Sequence, residues 1–188
     1  MRRVCVFAGS SRGARPEYEG AALELGRVLA ARRVGLVYGG ARVGLMGIVA
    51  DAVLAAGGEV TGVIPEALVA REIAHDGLTD LRIVSSMHER KTTMADLAEG
   101  FVALPGGWGT WEELFEMVTW AQLGLHRKPC GLLNARGYFD PLLAFISHAV
   151  EEGFVRHEHA GMLAVSAAAA PLLDLLAARV PPVVEKWA

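Results

Sequence analysis

Short apolar runs alternate along the chain with longer stretches whose apolar residues recur every three or four positions. Val4–Ala8, Val34–Tyr38, Val60–Ile64, Leu81–Val84, Phe101–Leu104 and Cys130–Leu133 are the short runs, and each reads as a strand. The helical period covers Tyr18–Ala31, Leu45–Ala56, Met87–Glu99, Thr110–Leu123, Asp140–Glu152 and Pro171–Arg179, with Gly57-Gly58 and Gly153 as stops. Strands alternating with helices of this length predict right-handed βαβ units. The expected fold class is therefore α/β: a Rossmann-like, doubly wound, mostly parallel sheet flanked by helices. No linker, repeat or low-complexity block divides residues 1–188, so one nucleotide-binding domain is expected.

Such sheets bind ligands beyond the carboxyl ends of their strands. Three glycine-rich strand ends fall there: Gly9-Ser10, Gly39-Gly40 and Gly106-Gly107. The strongest is Pro105–Glu113, PGGWGTWEE, which leaves a strand and enters a helix. Gly106, Gly107 and Gly109 permit close approach to the backbone, and a helix beginning near Thr110 aims free N–H groups at the loop. The pattern suits a phosphate. Neither Gly107–Glu112 nor Gly39–Gly44 completes a dinucleotide fingerprint, and no GxxxxGK[ST] run exists. A mononucleotide or sugar phosphate fits better than NAD or ATP.

Two readings of Glu113 stand side by side. Thr110-Trp111-Glu112-Glu113 matches a capping box, which makes Glu113 a cap. Alternatively it is a carboxylate beside bound phosphate and sugar. Glu112 is the less constrained neighbour. In Met87–Lys91, MHERK, Arg90 shares the apolar stripe of Met87 and Met94, so it requires a partner: a ligand, a catalytic carboxylate or a structural ion pair. Lys91 either assists or is solvated.

Composition narrows the function classes. Eighteen Lys and Arg against 21 Asp and Glu give a net charge of −3, so no nucleic-acid partner is expected. Mean hydropathy is +0.34. No run approaches the ~18 apolar residues of a spanning helix, so no membrane partner is expected either. Val4–Ala8 is too short for a signal peptide, and Cys5 and Cys130 read as isolated core residues, which points to the cytoplasm. No His, Cys or carboxylate cluster has ligand spacing, so neither a metal nor a cofactor is expected.

These residues resemble a known family. PGGWGTWEE looks like PGGxGTxxE and MHERK like MHxRK, two motifs of the LONELY GUY (LOG) phosphoribohydrolases, often labelled lysine decarboxylase-like. VFAGSSRG, YGGARVGLMG, TWAQLGLHRKP and GLLNARGYFDPLL extend the likeness from Met1 to about Val165. The decarboxylase label fits poorly, since a pyridoxal enzyme needs a Schiff-base lysine and none lies in such a motif. The resemblance implies hydrolysis of the N-glycosidic bond of an adenosine 5′-monophosphate, N6-substituted or not, to free base and ribose 5-phosphate. It implies Arg90 and Glu113 as catalytic residues. Gly9, Ser10, Gly40, Glu72, Met87, Lys91, Gly106, Gly107, Trp108, Gly109, Thr110, Glu112 and Thr119 are then the substrate- and phosphate-binding set. It also implies a homodimer, with Trp111, Phe115 and Trp120 as candidates for its apolar patch. A non-catalytic nucleotide or cofactor carrier of the same fold is the alternative; it would keep the glycine loop without needing both Arg90 and Glu113.

Overall fold

Seven parallel strands form the single sheet of a computed structural model that describes residues 1–72 and 74–179, the side chains of 70–72 excepted. The strands are β1 (Arg3–Phe7), β2 (Gly35–Tyr38), β3 (Val60–Pro65), β4 (Asp80–Val84), β5 (Phe101–Ala103), β6 (Cys130–Leu133) and β7 (Leu163–Ser166). Their order across the sheet is β4-β3-β2-β1-β5-β6-β7. The chain reverses direction across the sheet at β1, which pairs with β2 on one side and β5 on the other; Cys5 stands opposite Val37 and Phe101. That switch point leaves a crevice at the carboxyl ends of β1 and β5.

The helices are α1 (Pro16–Ala31), α2 (Gly44–Ala55), α3 (Glu66–Glu72), α4 (Met87–Leu97), α5 (Trp108–Gln122), α6 (Asp140–Glu151), α7 (His157–Ala160) and α8 (Ala169–Ala178). Alternate strand residues face two cores. Val4, Val6, Ala8, Leu36 and Val102 pack under α1, α2 and α8. Cys5, Phe7, Val37, Phe101 and Ala103 pack under α4 and α5, against Met94, Leu114 and Met117. Both faces are covered, so each central strand is apolar on both sides.

The expected Rossmann-like architecture is present, with several corrections. α3, α7 and β7 were not foreseen; β7 lies inside an alanine-rich apolar tract that offers no boundary. The last helix begins at Ala169, not Pro171. α5 begins at Trp108, not Thr110, because Gly107 is its extended N-cap. Among the described residues, no helix is long and apolar enough to cross a membrane.

Candidate active site

Gly9 ties the three glycine junctions together. Its N–H donates to the Pro105 carbonyl at 3.1 Å, and its carbonyl accepts from Leu45 and Met46 at 2.9 and 3.4 Å. Those two bonds satisfy two of the N–H groups in the first turn of α2. The start of α4 is capped: the Ser86 hydroxyl accepts from Glu89 N at 3.1 Å, and the Glu89 carboxylate takes Ser85 N at 2.8 Å. α5 differs. It has no side-chain cap, and the N–H groups of Gly107 to Thr110 have no intrahelical acceptor. Gly107, Trp108 and Gly109 are exposed, and Thr110 is buried against Gly106, where any side chain would strike its hydroxyl. An uncapped helix start of this kind attracts an anion.

The new start of α5 removes the capping-box reading of Glu113. The cap lies at Gly107, so Thr110 is the third helical residue and Glu113 the sixth. The S-x-x-E box of this edge belongs instead to Ser86 and Glu89.

Glu113 is buried and faces Arg90 across the α4–α5 seam, with Nη1 to Oε1 at 3.5 Å and side-chain exposures of 8% and 12%. Arg90 Nε donates to the Val63 carbonyl at 3.1 Å, and Nη2 to the Gly39 carbonyl at 3.4 Å. Four elements thus fix one guanidinium. Gly39 is glycine for this reason: a methyl there would overlap Arg90.

One step along the same seam, Lys91 Nζ lies 2.5 Å from Glu112 Oε1 and 3.0 Å from Glu116 Oε1. Burial works against the ammonium, but hydrogen bonds to Glu112 and Glu116 outweigh it and raise its pKa. Glu116 was missed from sequence. The signal was present: Glu112 and Glu116 are like charges at i, i+4, a destabilising spacing unless a cation stands between them.

Met87 is partly exposed one turn before Lys91, its sulfur 3.9 Å from Arg90 Nη1. Trp108, 85% exposed, stands one turn before Glu112 and meets Trp111 edge-to-face at 5.2 Å. Met87 thus lies beside Arg90, and Trp108 is exposed at the start of α5, one turn before Glu112.

Other expected residues sit apart. Gly40 is buried in a left-handed conformation, φ +79°, against Ile64 and Leu81, and its carbonyl holds His75 N at 3.0 Å. It shapes the Arg90 loop and does not open on the crevice. Ser10 is exposed at the rim. Thr119 is exposed on α5, nine residues beyond Thr110, about 14 Å at 1.5 Å per residue. The expected contact at Glu72 lies outside the described side chains.

A cavity of about 230 Å³ adjoins the loop on the α1 side, lined by Ser10, Arg12, Tyr18, Leu45, Gly106 and Tyr138 among others. It is smaller than the usual ~300–1,000 Å³ of ligand sites, so it holds part of a nucleotide at most. A larger concavity, about 870 Å³, lies at the opposite, amino end of the strands among Arg2, Arg33, Gly58, Asp96, Glu99 and Lys128. The carboxyl ends of α1, α2 and α4 converge there, and their negative dipole ends disfavour an anion. Among the described residues no group of three or more His, Cys, Asp or Glu could hold a metal ion.

A family model described as "possible lysine decarboxylase" matches residues 46–176. The chain is 56% identical over 156 residues to a "probable cytokinin riboside 5′-monophosphate phosphoribohydrolase" of Oryza sativa subsp. japonica, covering 83% of this chain and 64% of that relative. It is 55% identical over 155 residues to a cytokinin riboside 5′-monophosphate phosphoribohydrolase of Arabidopsis thaliana, covering 82% of this chain and 71% of that one. A molybdenum cofactor carrier protein from Chlamydomonas reinhardtii superposes with a TM-score of 0.69 at 20% identity, over 95% of this chain and 99% of that one. At that identity the likeness is one of fold alone.

Proposed function

The chain belongs to the family described as possible lysine decarboxylase, whose curated relatives here are phosphoribohydrolases, and from that premise we propose that it hydrolyses the N-glycosidic bond of an adenosine 5′-monophosphate. The products are the free base, adenine or an N6-substituted cytokinin, and ribose 5-phosphate. The observation that carries this reading is a buried carboxylate–guanidinium pair, Glu113 and Arg90, beside an uncapped glycine-rich helix start.

The N–H groups from Gly106 to Thr110 take the 5′-phosphate, with the Thr110 hydroxyl beside them. Glu113 then faces the ribose. Cleavage passes through an oxocarbenium-like state, and a fixed anion in a water-poor site stabilises that charge without reorganising. The same carboxylate accepts a proton from the water that attacks the anomeric carbon; the C–N bond electrons leave with the base, which takes up a proton to become the free base. Arg90, held on Val63 and Gly39, keeps Glu113 aimed. Lys91 offsets part of the charge of Glu112 and Glu116 and holds both carboxylates in place. Met87 and Trp108 offer an apolar rim to the base, and the residues the family carries as Tyr and Leu are Trp108 and Trp111 here.

The working form is proposed to be a cytoplasmic homodimer. α6 buries none of its residues, and Phe115, Leu123, Leu125, Phe145 and Phe154 are exposed. Phe115, Thr119 and Leu123 share one stripe of α5, which puts Thr119 on the face a second copy would cover. Trp120 packs on the core and is not part of that exposed stripe.

The test is a substrate panel with product chromatography: AMP, N6-isopentenyladenosine monophosphate, the corresponding nucleosides and the free bases. Hydrogen bonds to a charged phosphate are worth about 1.5–3 kcal/mol each. Two of them therefore predict a loss of at least ~10² in kcat/KM when the phosphate is absent. Equal turnover of adenosine and AMP refutes the phosphate site. Binding without turnover favours a carrier.

A further inference from the structure

The segment GLLNARGYFDPLL carries no role in the chemistry above, yet the fold spends several interactions on it. Asn134, at the end of β6, accepts from Phe139 N at 2.7 Å through its side-chain oxygen and donates to Asp140 at 2.7 Å through its amide. Its own N–H is held by the Ser166 carbonyl at 2.8 Å. A 3-10 turn, Ala135–Gly137, follows, in which Arg136 and Gly137 both take left-handed conformations, φ 57° and 70°. A side chain on Gly137 would strike the Asp140 carboxylate. The result of this bracing is one side chain, Tyr138. Its ring meets Tyr18 and Phe139 edge-to-face, with centroids 5.7 and 4.9 Å apart. Its hydroxyl donates to the Gly106 carbonyl at 2.5 Å.

That hydrogen bond fixes a peptide plane. In a trans peptide the carbonyl of Gly106 and the N–H of Gly107 point in opposite directions. Drawing the carbonyl to Tyr138 turns the Gly107 N–H away from it, into line with the free N–H groups at the start of α5. The preceding plane is fixed the same way, since the Pro105 carbonyl is held by Gly9 N at 3.1 Å. The plane between Gly106 and Gly107 needs a lock more than most. Glycine on both sides removes the steric barrier that keeps other residues in one conformation. A flip would present a carbonyl oxygen to an incoming anion.

Building on the phosphate site read above, we propose that Tyr138 is a positioning residue for substrate binding: its hydroxyl locks the Gly106–Gly107 peptide with the N–H toward the 5′-phosphate. It touches the loop and not the reacting atoms. Its removal therefore weakens everything that carries the phosphate, equally, and leaves the chemistry of Glu113 alone.

Tyr138→Phe deletes the hydroxyl and keeps the ring against Tyr18 and Phe139, so the fold is retained, which circular dichroism and Tm without ligand verify. The readouts are steady-state kinetics on AMP and the rise in Tm with added ribose 5-phosphate, which needs no turnover. The expected result is a KM for AMP about tenfold higher with kcat within about twofold, the scale of one weakened hydrogen bond to a charged group. The ribose 5-phosphate needed for a given Tm rise should grow by the same factor, while inhibition by free adenine is unchanged. An unchanged ribose 5-phosphate response overturns the lock. So does a fall in kcat at constant KM, which would move Tyr138 into the chemistry. Wild-type turnover of AMP tests the hydrolase reading separately, and the ribose 5-phosphate comparison judges Tyr138 whatever that turnover is.

Discussion

Glu113→Gln is the substitution that divides a structural ion pair from a catalytic one. The side chain keeps its size and loses its charge. Because Arg90 and Glu113 are both nearly buried, 3.5 Å apart, Arg90 is left facing a neutral amide. Removing one partner of a buried pair costs about 3–5 kcal/mol. Gln still accepts a hydrogen bond, so the lower end, about 3 kcal/mol, applies. For a chain of this size that is a fall in Tm of about 6–12 °C, at 2–4 °C per kcal/mol. Activity should fall by about 10²-fold or more, a barrier increase of about 2.7 kcal/mol, when the anion facing the ribose disappears. The thermal melt fixes an assay temperature at which the variant is folded, so a loss of turnover there is not a loss of protein. The decisive comparison is with the double variant, Arg90→Gln with Glu113→Gln. Two neutral amides remove the unpaired charge, so stability recovers relative to the single changes. Turnover does not recover, because the carboxylate is still missing. The assays are thermal melts and release of adenine from AMP by the wild type, both single variants and the double variant. Recovery of activity together with stability in the double variant would refute the catalytic role of Glu113 and leave it a structural partner.

Gly39→Ala places a methyl against the Arg90 guanidinium and should lower AMP turnover at least ~10-fold with a smaller change in KM; normal turnover would show that the Gly39 contact is dispensable. Burial lowers the pKa of His126, with Lys128 adding to it against a hydrogen bond from the imidazole to the Met117 backbone carbonyl. The folded value lies below the unfolded one near 6.5, so the stability held by neutral His126 is complete above that pH and is lost as pH falls through the folded value. His126→Phe should flatten that acid limb of the Tm-against-pH curve, and an unchanged limb would assign it to other groups. Cys5 and Cys130 are buried and unpaired, burial raises both thiols, and Cys130 is pushed up to about 12. Native protein at pH 8 should resist iodoacetamide while denatured protein takes two equivalents, as mass spectrometry will read.

The sheet and most helices were legible because runs and periods are local. The active site was legible only in part. PGGWGTWEE and MHERK announced chemistry, but the partner of Arg90 was open between ligand, catalytic carboxylate and structural pair. Only the fold brings α4 and α5 together and selects Glu113. The capping-box match at Thr110–Glu113 misled because glycine at 107 and 109 reads as loop, whereas Gly107 is an extended cap and Gly109 is helical. The box that does cap a helix, Ser86 to Glu89, lay one motif earlier. Gly39 and Arg90 are 51 residues apart, and nothing local says that one is small because the other is large. Tyr138 is the same case: its hydroxyl matters through a carbonyl 32 residues away.

The seam between α4 and α5 also supports the proposed placing of the phosphate at the helix start and not on a lysine. Arg90 and Lys91 carry two positive charges against three carboxylates, Glu112, Glu113 and Glu116, within one contact network. A dianionic phosphate brought to that network meets a net negative charge, and Lys91 already holds two carboxylates. The N–H groups at the start of α5 attract the same anion without any mobile charge, and they are left open because Gly107 brings no capping side chain. Dividing the work this way keeps an anion beside the ribose, where positive charge develops, while the phosphate is held by neutral dipoles one turn away. A lysine-centred phosphate site would have drawn Lys91 off Glu112 and left two like charges one helical turn apart. The carboxylates, the uncapped glycine start and the committed lysine are therefore one electrostatic arrangement.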